Sequence, residues 1–567
     1  MSHSSLDVFG TCLAQVGEDA TTKELLECVS FSLSRAVPDG LDEPSSKGFT
    51  RSIVVVFAAA LVFFMQAGFA MLCAGAVRAK NVQNTMLKNL LDACGAAIAF
   101  FTVGYAFAFG GTDFPTDTDT DTGNNQTTFI GTSNFFLVNV DDYSFWLFQY
   151  AFSAASATIV AGTLAERCQM AAYLGYSALL TGWVYPIVAH AVWNVHGFLS
   201  AHAVEPLWGV GMVDFAGSGV VHVTGGVTAL FATIILGPRR GRFHDQDGQR
   251  LIRPRIFPGH SFALQMLGTL ILWFGWYGFN IGAALLLDVP SSDNIAALAA
   301  VNTTLSGGTA GIVALFFNLW YLDKRTGEAY FDLKFAMNGC LCGLVAITGG
   351  CGVVEPWAAV VIGFVAGLLY NIGSRGLIYL RLDDAVDAIP VHLCNGSWGL
   401  VAVGLFASPS RLLVIYGHSD HPGWFYSLRD GESDFRLLAS QLVGLIFIVF
   451  WVMFNMLPFF VWLNYRGWFR SDPLEELVGL DLSYHGGLML HEEVDPEYIS
   501  AYRKGQHEAH SRTLRQRKRT SHVRLESVSE HSVAPNGGDS AHTSNGDSLT
   551  ETVTIREPDS GWPRGNV

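Results

Sequence analysis

Charge is scarce in this chain. Only 15% of its 567 residues are Asp, Glu, Lys or Arg, against about a quarter in an average soluble protein. The scarcity is also uneven. No Lys or Arg occurs from Asn89 through Glu166, nor from Cys168 through Pro238. Without a basic groove, nucleic acid is excluded as a partner. The nine cysteines lack metal-ligand spacing: Cys340 and Cys342 form a C-x-C inside an apolar run, where they read as small packing residues. Cys12 and Cys28 precede the first apolar run. An outside location would let them pair, or leave two free thiols. Met1–Thr50 is polar, with no apolar core of signal-peptide type.

What is abundant is apolar surface: 50% of residues are hydrophobic, with 60 glycines and 40 phenylalanines. A membrane-crossing helix needs about 20 mostly apolar residues. Runs of that kind centre on Ile53–Val77, Leu90–Gly110, Phe145–Leu164, Ala171–Val192, Phe215–Leu236 and Phe262–Leu286. Further runs are Ile295–Leu322, Phe335–Thr348, Ala359–Leu380, Ile389–Phe406 and Leu437–Trp462. The expected fold is an all-α polytopic membrane protein with eleven transmembrane helices. Basic residues cluster after the odd-numbered runs: Arg78, Lys80 and Lys88; Arg167; six arginines from Arg239 to Arg255; Lys324, Arg325 and Lys334; Arg375 and Arg381. Basic loops face the cytosol, so the N-terminus is expected outside and the C-terminus inside. Arg411, Arg429 and Arg436 in the last outer loop depart from that bias. The expected segments are an extracellular 1–50, a membrane domain 51–465, a cytosolic regulatory region 466–492 and a disordered cytosolic tail 493–567. The acidic outer loop after Gly111 carries a glycosylation sequon at Asn125.

Two titratable pairs interrupt the apolar runs. "DFAGSGVVHV" places His222 eight positions after Asp214, an Asp-x7-His spacing; "DAVDAIPVHL" repeats it with Asp384 and His392. Both continue as Val-His-x3-Gly, ending at Gly226 and Gly396. His222 falls in the fifth run and His392 in the tenth. Five plus five runs, starting from opposite sides, is the layout of an inverted repeat, with a final helix added. Such repeats bring equivalent positions together near the midplane. Two facing imidazoles in low dielectric stay mostly neutral and share one proton. They offer a hydrogen-bonding path to a small polar solute, or a proton relay. Ordinary interhelical hydrogen bonding is the competing reading of each histidine. A metal is disfavoured, because each Asp lies two helical turns from its His.

The motifs "MQAGFAMLCAGAVRAKN", "GTLAER", "DFAGSGVVH", "GWYGFN" and "GLDLSYHGG", in this order from about Ile53 to Leu488, resemble the ammonium transporter (Amt/Mep/Rh) family, specifically its plant-type branch. The resemblance implies a homotrimer in the lipid bilayer of the plasma membrane, with one narrow pore per subunit. Phe148 and Trp193 would form the outer recruitment site, whose ring faces attract a cation. Phe152 and Phe279 would be the stacked gate below, excluding water and hydrated ions. His222 and His392 would line the pore. Asp214 would cap its helix and add negative potential at the recruitment site. Where the family has a serine after "GFN-x-Gly", this chain has Ala283, which accepts no hydrogen bond from ammonium. Gly479, Asp481 and Ser483 lie in the regulatory segment. In the family that segment docks on the neighbouring subunit, and Ser483 stands where the plant-type pattern has a phosphorylated threonine. The implied function is uptake of ammonium with NH3 passing the histidines and net charge transported, without cofactor, metal or enzymatic activity. The alternative is an ammonium sensor of the same fold that signals through its tail.

Overall fold

The computed structural model describes residues 46–111, 127–245, 247–286, 292–485, 497–506 and 508; side chains are described from 51 onward. The chain divides into Met1–Tyr502, which carries everything below, and Arg503–Val567. Among the described residues every named element is helical. Asn125, Cys12 and Cys28 lie outside the described residues, as does most of the tail. Within the tail expected to be disordered, 497–506 form a helix.

The helices are α1 (Ser46–Ala76), α2 (Ala79–Phe109), α3 (Tyr143–Ala161), α4 (Met170–Leu179), α5 (Tyr185–Trp193) and α6 (Ser218–Leu236). There follow α7 (Phe262–Leu286), α8 (Ser292–Thr326), α9 (Leu333–Thr348), α10 (Pro356–Leu380) and α11 (Ile389–Phe406). Two short helices, α12 (Pro409–Tyr416) and α13 (Trp424–Arg429), lead to α14 (Arg436–Tyr465). Two short helices end the domain, α15 (Pro473–Val478) and α16 (Leu480–His485).

Eight of these, α1, α2, α6, α7, α8, α10, α11 and α14, are long and apolar enough to cross a membrane. Eleven were expected from the sequence. The other three apolar runs fold differently from long greasy rods. The α9 helix is apolar but short. The run over 171–192 is divided by a π-helical turn, Leu180–Val184, into α4 and α5. The α3 helix is buried continuously from Phe148 to Ala161 through small residues such as Ser153, Ala154, Ser156 and Ala157. It packs against protein on all sides, and such contacts favour small residues over the large apolar ones that lipid requires.

The loop basics also differ from expectation. Lys88 sits inside α2, buried, and its ammonium donates to the Cys168 carbonyl at 2.7 Å. Arg167 is buried too and donates to the Gly237 and Asp383 carbonyls at 2.8 Å each. These are latches onto loop carbonyls. Each places charge where carbonyl oxygens satisfy it, as burial of a cation demands.

Candidate functional site

Both histidine helices begin irregularly and in the same way. Ser218–Val223 and Ile389–Cys394 are π-helical, and each contains its histidine. Single π turns inside helices mark functional positions often. The preceding aspartates hold the two starts. The Asp214 carboxylate accepts from the backbone N–H of Gly217 (3.0 Å), Gly219 (2.8 Å) and Val220 (2.9 Å). The Asp384 carboxylate accepts from Val386 (3.2 Å) and Ile389 (2.8 Å). Each offers charge-assisted acceptors to amides that would otherwise lack a partner. Burial pushes the Asp384 carboxyl up to about 6, with the charge of Asp387 acting in the same direction.

The glycine that ends each Val-His-x3-Gly lets the two starts cross. A Cβ on Gly226 would stand 2.5 Å from the Leu393 backbone nitrogen, and one on Gly396 would stand 2.7 Å from the Ser218 carbonyl. With both glycines in place, His222 Nδ1 and His392 Nδ1 lie 3.2 Å apart. One imidazole donates and the other accepts. The rings stack at 5.2 Å between centroids and 23°. Both are buried, and His222 Nε2 has no hydrogen-bond partner among the described residues.

Above and below the pair runs a file of aromatic rings. Trp193 meets Phe152 edge-on at 5.8 Å, and Phe152 stacks on Phe279 at 3.9 Å and 16°. Phe279 is 5.6 Å from the His222 ring, and Phe69 is 6.2 Å from His392. Phe148 packs on Phe152 at 4.5 Å. Gly282 makes room for Phe148, since a Cβ there would lie 2.3 Å from the ring. Phe148, Phe152 and Phe279 are all buried, while Trp193 is half-buried.

Asp214 bears on this file through its backbone: the Trp193 indole N–H donates to its carbonyl at 2.7 Å. Its carboxylate oxygens are taken up by the start of α6. Ala283 is half-buried on α7 one residue beyond Gly282. It shares a face with Phe279 and Trp276, at helical spacing. Sequence reasoning passed over Trp276. It is fully buried, stacks on His222 at 5.2 Å, and its indole N–H donates to Thr348 Oγ1 at 2.8 Å. The signal was present in "GWYGFN", where only the phenylalanine was given a role.

The other expected residues gather at the opposite end of α2. Asp481 accepts from the backbone N–H of Gln83 (3.0 Å) and Asn84 (2.8 Å). Gly479 has φ +102°, and a Cβ there would stand 2.6 Å from the Lys80 carbonyl. The Leu480 N–H donates to Asn81 Oδ1 at 2.9 Å. Ser483 Oγ donates back to the Gly479 carbonyl at 3.0 Å. Within the single chain the segment therefore packs on the first turns of α2. Glu476, buried, is held by Arg470 at 2.8 Å and by the Arg240 N–H at 2.7 Å, whereas Glu475 turns back to cap α15.

Helices of this length and polarity, enclosing a buried file of rings around two histidines, define a multi-pass membrane protein of the transporter class. The profile of the Ammonium Transporter Family matches residues 53–489. The chain belongs to that family, in its plant-type branch. Ammonium transporter 1 member 3 of Solanum lycopersicum is 42% identical over 461 residues, covering 78% of this chain and 94% of its own length. Ammonium transporter 3 of Dictyostelium discoideum is 38% identical over 454 residues, covering 79% and 96%. Among solved structures, one described as Sensor Amt Protein superposes with a TM-score of 0.63 at 32% identity, over 76% of this chain and 98% of its own. Saccharomyces cerevisiae Mep2 gives 0.62 at 26% identity, over 75% and 89%.

Proposed function

We propose that this chain carries ammonium inward, recruiting NH4+ at Phe148 and Trp193 and passing NH3 along His222 and His392. The observation that carries the reading is the 3.2 Å imidazole pair directly behind the stacked rings of Phe152 and Phe279. Ring faces attract a cation, and a tight phenyl stack admits a small neutral solute more readily than a hydrated ion. The polypeptide crosses the plasma membrane eleven times, with its N-terminus outside and its C-terminus inside, as a homotrimer, and net charge moves with each ammonium. Asn125 is the glycosylation site. Expression in a host deprived of its own ammonium uptake, with ammonium-evoked current recorded, tests the reading; no uptake and no current at normal surface level would overturn it. A sensor of the same fold is the second reading, favoured by the missing hydroxyl at Ala283 and by the likeness to a protein described as a sensor.

Ala283→Ser adds one acceptor beside the recruitment rings. A hydrogen bond to a charged group contributes about 1.5–3 kcal/mol, so apparent ammonium affinity should tighten by about tenfold or more. An unchanged half-saturating concentration would mean that ammonium does not rest beside this residue. At the inner end, Ser483→Asp places a negative charge next to Asp481, whose carboxylate already serves the start of α2. A phosphate there would add about −1.5 to −2 charges. Current should fall at least twofold at equal surface expression, and Ser483→Ala should leave it near wild type. Equal currents in all three proteins would remove Ser483 from regulation.

A further inference from the structure

The hairpin between α6 and α7 carries two side chains that a soluble loop would hide. Ile252 is 98% exposed and Ile256 is 81% exposed. Around them stand Arg250, Arg253 and Arg255, all exposed, and none forms an ion pair with an acid among the described residues. The hairpin is closed by Leu251 N–H donating to the Phe243 carbonyl at 2.9 Å and by the pairing of His244 with Arg250.

This loop is pinned at the level of the helix ends. Arg381 terminates α10, and its guanidinium donates to the Phe243 and Leu251 carbonyls at 3.2 Å each. The last turn of α10 leaves Tyr379 85% and Leu380 65% exposed beside it. Desolvation, and then the charge of Arg250, lower the Arg381 pKa.

We infer that this hairpin is a lipid-binding site: Ile252 and Ile256 enter the acyl boundary of the inner leaflet while Arg250, Arg253 and Arg255 take the phosphate and carboxylate of anionic headgroups. Apolar and basic side chains on one short segment are the composition of an interfacial anchor. Anionic lipid attracts each basic side chain near the surface independently. A soluble acidic partner would use the arginines but leave two isoleucines in water. The site rests on the inward-facing placement of this loop proposed above.

Native mass spectrometry of the purified full-length protein with added phosphatidylserine or phosphatidylcholine tests it. The wild type should retain phosphatidylserine at least fivefold over phosphatidylcholine. Arg250→Gln/Arg253→Gln/Arg255→Gln should bring the ratio near one, and Ile252→Asp/Ile256→Asp should lower total retention, both at unchanged oligomer mass. A preserved preference in the triple variant overturns the site. So does loss of the oligomer in that variant, which would assign the hairpin to a neighbouring subunit. Topology is read separately with an epitope inserted after Gly248, which has open space around it. Staining of intact cells would remove the placement of the loop itself; lost lipid preference with no such staining removes only the lipid site.

Discussion

His392→Ala is expected to cut ammonium uptake at limiting concentration at least tenfold and to let K+ contribute to the remaining current. Among the described residues of the wild type, His222 Nδ1 is partnered by His392 and His222 Nε2 has no partner. The substitution leaves His222 buried with no hydrogen bond from protein, at a cost of about 1–3 kcal/mol. It also empties the volume of an imidazole between Phe69 and the His222 ring. A polar site of more than about 10–15 Å³ holds water, and His222 supplies the polar edge that water needs. A wet gap in a file of stacked rings no longer discriminates against a hydrated cation. The measurement is uptake together with reversal potential in ammonium and in K+, at matched surface expression. Wild-type flux and selectivity would sink the paired-histidine route.

The pair was legible before any coordinates because its construction repeats. Asp-x7-His and Val-His-x3-Gly each have a local cause, namely a carboxylate at a helix start and a glycine at a helix crossing, so both leave a mark at fixed spacing. The long lipid-facing helices were legible for a similar reason: lipid demands an unbroken apolar run. The α3 helix was read with shifted ends, since protein packing around Ser153 and Ser156 makes no such demand. The π turns were not legible. Their i→i+5 bonding occupies Ser218–Val223 and Ile389–Cys394, and apolar periodicity does not distinguish it from an ordinary helical turn.

The face formed by the α1–α2, α3–α4 and α6–α7 connections was the least legible part. Lys88 and Arg167 look like free loop charges when counted along the chain, and each is a buried latch to a backbone carbonyl. Glu166 was seen only as part of the "GTLAER" motif. Its partners, Arg78 and Arg239, lie 88 and 73 residues away. Periodicity reports what faces the core, whereas ion pairing across loops has no period to detect.

Glu166→Ala should be the most damaging single change outside the pore. Glu166 is buried at a left-handed turn, φ 72°. One oxygen accepts from Arg239 at 2.6 Å; the other accepts from Arg78 and from Asn81 at 2.9 Å. Arg239 also pairs with Asp383 at 2.8 Å, and Asn81 receives the Leu480 N–H of the C-terminal segment. One carboxylate therefore ties the α1–α2, α3–α4 and α6–α7 connections to one another and, through Arg239 and Asn81, to Asp383 and Leu480. Removing it leaves buried cations short of a partner, and breaking a buried pair costs about 3–5 kcal/mol. Burial alone would raise the Glu166 pKa from its ordinary 4.5, but the charges of Arg239 and Arg78 outweigh it and the net shift is downward. A carboxylate lowered in the folded state stabilises the fold above its unfolded pKa, and that contribution drains away as pH falls below about 4.5 towards the folded value. Thermal unfolding of detergent-purified protein should accordingly show Glu166→Ala and Glu166→Gln both destabilised at pH 7. Both variants should also show a shallower loss of stability between pH 4.5 and the onset of acid unfolding than the wild type. Wild-type stability at pH 7 together with an unchanged acid slope would mean that the inner connections are held by the remaining contacts without this carboxylate.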